Sequence, residues 1–244
     1  MTAGQPTLVV MIPTYNEREN IGPLVREILR LPVDGKMTVL VVDDDSPDGT
    51  AAEAARLAGE DPRVRVLLRK KRRGRGAAGI DGFSEALRLG ADFVVEMDAD
   101  GSHRPSDIPA LLDAARTADL VLGSRFVKGG RDADRSVFRR FVTLCVRTFV
   151  RRYYRLGIRD VSSGFRCFRR GALEKIDLED LISVGPSIVL EILHRAHLLG
   201  CSIVEVPIVF VDRKLGKTKL SALTLAETLL MVLKFKHRQA RAGR

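Results

Sequence analysis

A chain of 244 residues with 45% hydrophobic and 30% charged side chains can bury one sizeable core, which excludes a wholly disordered chain. Its net charge of +10 points to an anionic partner: a nucleotide, a lipid phosphate, a membrane surface or a nucleic acid. Aromatic residues make up only 5% and no nucleic-acid recognition motif is present, so nucleic acid is not expected among the partners. Three widely spaced cysteines, Cys145, Cys167 and Cys201, form neither a disulfide framework nor a zinc ligand set and suit a reducing cytoplasm.

The first residues, MTAGQPTLVVMIPTYNE, lack a basic stretch followed by an apolar one, so no signal peptide is expected. Apolar runs at 7–12, 37–43, 63–68, 92–98 and 119–124 are bounded by turn residues and predict strands. Helical patterns fall between them at 18–30, 50–58, 77–89 and 106–116. This alternation predicts an α/β fold with a largely parallel sheet covered on both faces. Ligands gather at the carboxyl ends of such strands, where PTYNE (13–17), DDDSPDGT (43–50) and DADGSHRP (98–105) are found.

The third of these raises a question of charge. On an extended backbone Asp98 and Asp100 share one side while Ala99 turns away. Two like charges that close call for a divalent cation, above all one already held by a diphosphate, and hard oxygens suit Mg²⁺ or Mn²⁺. The alternative is a pair of solvated loop aspartates capping the next helix. No G-x-x-x-x-G-K-[ST] loop is present, and RGRGAAG (73–79) follows its strand too loosely for a dinucleotide fingerprint. A diphosphate would therefore rely on a metal and arginines.

The second half is more basic. A long helix is expected at 137–155, then SSGFRCFRR (162–170), a helix near 187–199, a strand-like run at 201–212, a basic loop at 213–221 and a last helix at 222–235. That last helix would measure about 21 Å at roughly 1.5 Å per residue, too short for a hydrocarbon core of roughly 30 Å. It contains Glu227, and reads either as an interfacial helix or as one packed on the core. RKKRRGRG (69–76) reads as a solvated loop able to touch anionic lipid.

In chain order, IPTYNERENI (12–21), VVDDDSPDGT (41–50), DGFSEA (81–86), MDADGSHRP (97–105), GSRFVKGG (123–130), SSGFRCF (162–168) and VPIVFVDRKLGKTKLS (206–221) resemble the motifs of the family 2 glycosyltransferases. Within that family they are most similar to the polyprenyl-phosphate, or dolichol-phosphate, mannosyltransferases. The resemblance implies a GT-A fold, Rossmann-like and flanked by helices, as one catalytic domain at 1–236 followed by a basic tail at 237–244. It divides the domain into a nucleotide-binding half at about 1–124 and an acceptor-binding half at about 125–236. It further implies a nucleotide sugar, usually GDP-mannose, a Mg²⁺ or Mn²⁺ cofactor, and inverting transfer of the hexose to a polyprenyl monophosphate at the cytoplasmic face of a membrane.

Carried over motif by motif, Pro13, Tyr15, Glu17, Val42 and Asp44 would line the nucleoside site. Tyr15 offers a packing face, while Glu17 and Asp44 offer hydrogen-bond acceptors. The alternative for Tyr15 to Glu17 is a helix entry with Asn16 as the cap. Asp98, Ala99 and Asp100 would contact the donor, with Asp100 the direct metal ligand, Asp98 its helper and Ser102 standing where relatives carry glutamine. Arg125, Arg213 and Lys219 match basic positions that neutralise the donor phosphates; Asp98, Asp100 and Arg125 form the expected catalytic set. Arg139 matches the position that holds the acceptor phosphate; the alternative is that Arg139 and Arg140 solvate a helix face.

A phosphate monoester, with a second pKa of about 6, arrives deprotonated, so none of His103, His194, His197 or His237 is needed as a base. Two departures stand out: Ser102, and VGPSIVLEIL (184–193) where relatives carry aromatics before the glutamate. Without the transmembrane tail of some members, the chain is expected to sit on the membrane through 222–235 or to use a membrane-anchoring partner subunit. A glucosyltransferase or other enzyme using a UDP-sugar, a nucleic-acid-binding module and a catalytically silent scaffold of the same fold are the alternatives.

Overall fold

The computed structural model describes residues 5–133, 137–211 and 230–235, and the side chains of all of these except 133 and 137–141. The five apolar runs of the first half all become strands: β1 (Thr7–Thr14), β2 (Lys36–Asp43), β3 (Val64–Leu68), β4 (Phe93–Glu96) and β5 (Leu120–Ser124). Between them run α1 (Arg18–Leu29), α2 (Thr50–Glu60), α3 (Arg75–Arg88) and α4 (Ile108–Ala115). Beyond β5 follow β6 (Arg131–Ala133), α5 (Val137–Tyr154), β7 (Arg166–Arg169), α6 (Arg170–Ile176), α7 (Ile188–Leu198), β8 (Ile203–Pro207) and β9 (Val209–Val211).

Seven strands form one sheet in the order β3-β2-β1-β4-β7-β5-β8, while β6 and β9 pair in parallel beside it. Every pairing in the large sheet is parallel except those of β7, which runs antiparallel to both β4 and β5. The strands read as near-continuous apolar runs because both faces are covered. Along β1, Val9 and Met11 enter one buried cluster while Leu8, Val10 and Ile12 enter the other. The first cluster takes in α3, α7 and the inner face of α5; the second takes in α1, α2 and α4.

The reversed strand is what assembles the rim. Since β1, β2, β4 and β5 run the same way, their carboxyl ends meet at one edge of the sheet. The antiparallel β7 begins at that same edge, so the segment 160–166 that leads into it lies beside residues 98 and 125.

Several sequence expectations change here. The predicted strand 92–98 stops at Glu96, and residues 97–103 form a bent loop, so alternation along an extended backbone does not describe Asp98 and Asp100. The apolar run at 201–212 is two strands belonging to two sheets, broken at Ile208, which is buried in the second core cluster. SSGFRCFRR supplies β7 and the start of α6. Of the predicted last helix, residues 230–235 are helical. Val232 and Phe235 are buried in the first cluster, and Tyr154 Oη donates to the Val232 carbonyl at 2.8 Å, so this part packs on α5. Residues 222–229 lie outside the described residues.

Candidate active site

The loops after β1 and β2 are stitched to each other. Asn16 has a left-handed backbone (φ 60°) and its N–H donates to Ser46 Oγ at 3.0 Å. Glu17, rather than Asn16, occupies the cap position of α1, and its N–H donates to Thr50 Oγ1 at 2.9 Å. The helix's first N–H, that of Arg18, is satisfied from the neighbouring loop by Asp48 Oδ2 at 3.1 Å, a carboxylate cap supplied in trans. Burial alone would raise the Asp48 pKa; its bonds from Thr50 and Arg18 outweigh that and leave it lowered.

Within DDDSPDGT the carboxylates serve the loop itself. Asp43 is fully buried and accepts from Thr14 Oγ1 (2.9 Å), Ser46 N (2.9 Å) and Ser46 Oγ (2.6 Å). Asp44 is ion-paired with buried Arg69 and accepts from Gly74 N at 2.7 Å. The Asp44 carboxylate expected to meet a nucleoside is thus engaged within the chain. Tyr15 is exposed at this rim, Pro13 and Glu17 are half-buried, and the Val42 side chain faces the core.

The loop after β4 is built differently. Asp98 Oδ1 accepts from Arg75 Nη2 at 2.9 Å, and the Asp98 N–H donates to His103 Nδ1 at 3.1 Å. His103 is buried and stacked on Phe165 at 4.9 Å; burial first of all depresses its pKa, and its accepting Nδ1 fits a neutral ring. Asp100 is 8% exposed and accepts the Ser102 N–H at 3.1 Å, while the Ser102 carbonyl accepts from Val211 N at 3.2 Å. Ala99 is buried in the second core cluster, which pins the turn between the two aspartates.

At the end of β5, Arg125 is held in a buried fork. Its Nε and Nη2 donate to Asp160 at 2.7 and 2.8 Å, its backbone N–H donates to Asp160 Oδ2 at 3.1 Å, and Nη2 also reaches Ser162 Oγ at 2.9 Å. Burial pushes the Asp160 carboxyl up, but the Arg125 bonds override it and hold the pKa below the ordinary value. Arg125 lines a cleft of about 310 Å³ with Arg131, Asp132, Thr143, Leu144 and Arg147. The Arg147 guanidinium lies 4.1 Å above the Phe126 ring, whose centroid is also 5.2 Å from the Arg125 guanidinium. Burial, with Arg151 adding to it, lowers the Arg147 pKa, and its Nε is buried without a hydrogen-bond partner.

Asp98, Asp100 and Arg125 therefore converge on one rim, close enough for Asp98 to bear electrostatically on Arg125 and for all three to bear on His103. Among the described residues, no group of three or more His, Cys, Asp or Glu is arranged to hold a metal ion by itself. The carboxylates of Asp98 and Asp100 would supply hard oxygens to a cation that drew its other ligands from water and a diphosphate, so the residues present fit Mg²⁺ or Mn²⁺ bound jointly with a donor. The Arg139 side chain, Arg213 and Lys219 lie outside the described residues.

One sequence reading is corrected: RKKRRGRG is not simply a solvated loop. Arg69 is buried between Asp44 and Asp81, Arg73 pairs with Asp45, and Arg75 bridges Glu96 and Asp98. Sequence reasoning also assigned no role to Asp160, His103 or Arg147. Asp160 stands two residues before SSGFRCF, and only the reversal of β7 brings it to Arg125.

Residues 9–177 match the model of Glycosyl transferase family 2. The chain is 43% identical over 228 residues to an undecaprenyl-phosphate mannosyltransferase of Micrococcus luteus, covering 93% of both chains. It is 44% identical over 230 residues to a polyprenol monophosphomannose synthase of Mycolicibacterium smegmatis, covering 93% of this chain and 86% of the other. It is 38% identical to a dolichol-phosphate mannosyltransferase of Pyrococcus furiosus, of which the match spans 61%. Among solved structures, glucosyl-3-phosphoglycerate synthase of Mycobacterium tuberculosis, in complex with Mn²⁺, UDP and glucosyl-3-phosphoglycerate, superimposes with a TM-score of 0.70 at 20% identity, over 94% of this chain and 78% of that one. Mannosyl-3-phosphoglycerate synthase of Rubrobacter xylanophilus gives 0.63 at 18% identity, over 98% and 75%. These two establish the fold, a mostly parallel GT-A sheet flanked by helices. On the family match and the extent of its likeness to the mannosyltransferases, the chain belongs to glycosyl transferase family 2 and is a glycosyltransferase of the polyprenyl-phosphate mannosyltransferase type.

Proposed function

We propose that this enzyme transfers mannose, with inversion, from GDP-mannose to a polyprenyl monophosphate at the cytoplasmic surface of a membrane. The observation that carries this reading is the junction at Arg125 of an acidic loop, 98–102, with a cleft lined by Arg125, Arg131 and Arg147. The first suits a cation-bound diphosphate and the second an incoming phosphate monoester. A Mg²⁺ or Mn²⁺ held with the donor would neutralise its diphosphate as a leaving group.

In this reading Asp100, fixed by the Ser102 N–H, and Asp98, fixed by Arg75 and His103, present their oxygens to that cation. Arg125 cannot swing away, since Asp160 holds Nε and Nη2, so its remaining edge is oriented towards the two phosphates. The acceptor phosphate needs no base, because it already carries about −1.5 to −2 charge near pH 7. Tyr15, with Pro13 and Glu17, is assigned to the nucleoside; Arg213 and Lys219 to the donor phosphates; and Arg139 to the acceptor phosphate.

The membrane part of the proposal rests on α5, which exposes Phe149 and, at the mouth of the cleft, Leu144, and on the exposed Arg152 and Arg155 at and just beyond its end. Leu230 and Leu233 are also exposed. Among the described residues, no helix is long and apolar enough to cross a membrane. We assign residues 1–236 to one catalytic domain on the same basis, and a membrane-anchoring partner subunit is an open addition to it.

The test is incubation with polyprenyl phosphate in vesicles and a panel of labelled GDP- and UDP-sugars, with and without chelator, scoring label in the organic phase. Label from GDP-mannose alone, abolished by chelator, is expected. Label from a UDP-sugar instead would transfer the proposal to a polyprenyl-phosphate glucosyltransferase or a related enzyme.

A further inference from the structure

The arginine at position 75 belongs to the run read from sequence as a solvated loop, yet its side chain is only 24% exposed. One guanidinium spans two carboxylates: Nη1 donates to Glu96 Oε1 at 2.7 Å and Nη2 donates to Asp98 Oδ1 at 2.9 Å. Glu96, the last residue of β4, is 2% exposed. Burial works against the charge on Arg75, but Asp98 and Glu96 outweigh it and keep the guanidinium protonated.

The placement is built into the backbone on two sides. Arg75 is the first residue of α3, and the helix start is pressed against residues 183–185. The Gly76 N–H donates to the Val184 carbonyl at 2.7 Å, and a Cβ at 76 would lie 2.4 Å from the Ser183 carbonyl oxygen. On the other side, a Cβ at Gly164 would come within 3.1 Å of Arg75 Nη2 and 3.5 Å of Asp98 Oδ2. The 183–185 loop is fixed in turn by Glu191, which accepts the N–H groups of Ile182 (3.0 Å) and Ser183 (2.9 Å). Helix start, loop and Gly164 thus enclose the pair.

We propose that Arg75 is a positioning residue that acts through Asp98: its charge, anchored by Glu96, opposes the cation that Asp98 takes and sets how tightly it is gripped. The inference rests on the proposed function, since it takes Asp98 as part of a metal site. Its physics is Coulombic. A guanidinium within hydrogen-bond distance of a metal ligand competes with the divalent ion for the same oxygen and repels it at short range. Glu96 moderates this by sharing the guanidinium, so removing the charge of Arg75 and removing that of Glu96 should move metal affinity in opposite directions.

The experiment is Mn²⁺ binding, read by electron paramagnetic resonance of free Mn²⁺, with the full chain in saturating GDP. Arg75→Met should tighten Mn²⁺ binding by about three- to tenfold. Arg75→Lys, which keeps the charge, should stay within about twofold of the wild type. Glu96→Gln, which leaves the whole guanidinium to Asp98, should weaken binding by about two- to fivefold. Thermal melts of each variant establish that it is folded. Unchanged or weaker binding in a folded Arg75→Met, or an identical shift in the methionine and lysine variants, would overturn the assignment. Should Arg75→Met not fold, Glu96→Gln decides, and tighter or unchanged binding there refutes it. A wild type that binds no Mn²⁺ with GDP would overturn the proposed function and this inference together, whereas normal wild-type binding with the wrong variant order sinks only the inference.

Discussion

DDDSPDGT and MDADGSHRP look alike in sequence, since each places aspartates where a strand of the parallel sheet ends, yet the structure spends them differently. In the first, Asp43 and Asp44 are consumed by Thr14, Ser46, Arg69 and the Gly74 N–H, and they hold the loops together. In the second, Asp98 and Asp100 are oriented by Arg75, His103 and the Ser102 N–H on the rim shared with Arg125. An aspartate cluster is used up as a staple or left as a candidate site according to what the fold brings beside it. Charge and spacing alone do not decide.

The sharpest break of this comparison comes from a fifth carboxylate. Asp160 lies at the same rim but is a staple, fully buried against Arg125. Asp160→Asn should cost about 3–5 kcal/mol of stability in urea unfolding, because it leaves a buried guanidinium uncompensated. The sign with pH follows from its lowered pKa: the contribution is fully present above the ordinary carboxylate value of about 3.9 and is lost as pH falls through the still lower folded value. The gap between wild type and variant should therefore be constant from about pH 5 to 8 and close only below about pH 4.

Asp100→Ala should behave in the opposite way. Transfer activity should fall by about 10²–10³-fold, roughly 2.7–4 kcal/mol of transition-state stabilisation, while the melting temperature moves little. Asp43→Ala inverts the pattern again. It strands Thr14 Oγ1 and two Ser46 donors, and should lower stability by about 1–3 kcal/mol, with the transfer rate of the folded fraction much less affected. The smallest effect is expected at the cationic cleft, where Arg147→Ala should raise the KM for polyprenyl phosphate about tenfold, the worth of one charged hydrogen bond near 1.5 kcal/mol, and leave the KM for GDP-mannose unchanged. Initial rates against each substrate check this last prediction.

What the sequence disclosed follows the range of the interactions involved. The strands and helices of the first half were legible because apolar runs and turn residues act locally, and so was the rim, since carboxyl ends of parallel strands lie together. The antiparallel β7 was not. Four residues, RCFR, carry no alternation, and Arg166 is fully buried, its Nε and Nη1 donating to the carbonyls of Ser163 (2.6 Å) and Val189 (2.7 Å), so a basic residue reads as surface where it is core. The same blindness hid the Arg125–Asp160 pair, separated by 35 residues, and the Arg75–Asp98 pair, separated by 23. Ion pairs of that reach appear only once the topology is known. The motif resemblance supplied Asp98, Asp100 and Arg125 as a set; the structure adds the side chains that hold them.

The central claim is that the 98–102 loop and a nucleotide's diphosphate share one divalent cation. A crystal grown with GDP and Mn²⁺ tests it most directly, with the anomalous signal of the metal marking the ion. Mn²⁺ is expected on an Asp100 carboxylate oxygen and on the diphosphate, on the Arg125 side of the rim. A nucleotide seated away from this loop, or one bound there with the anomalous peak elsewhere, would contradict it.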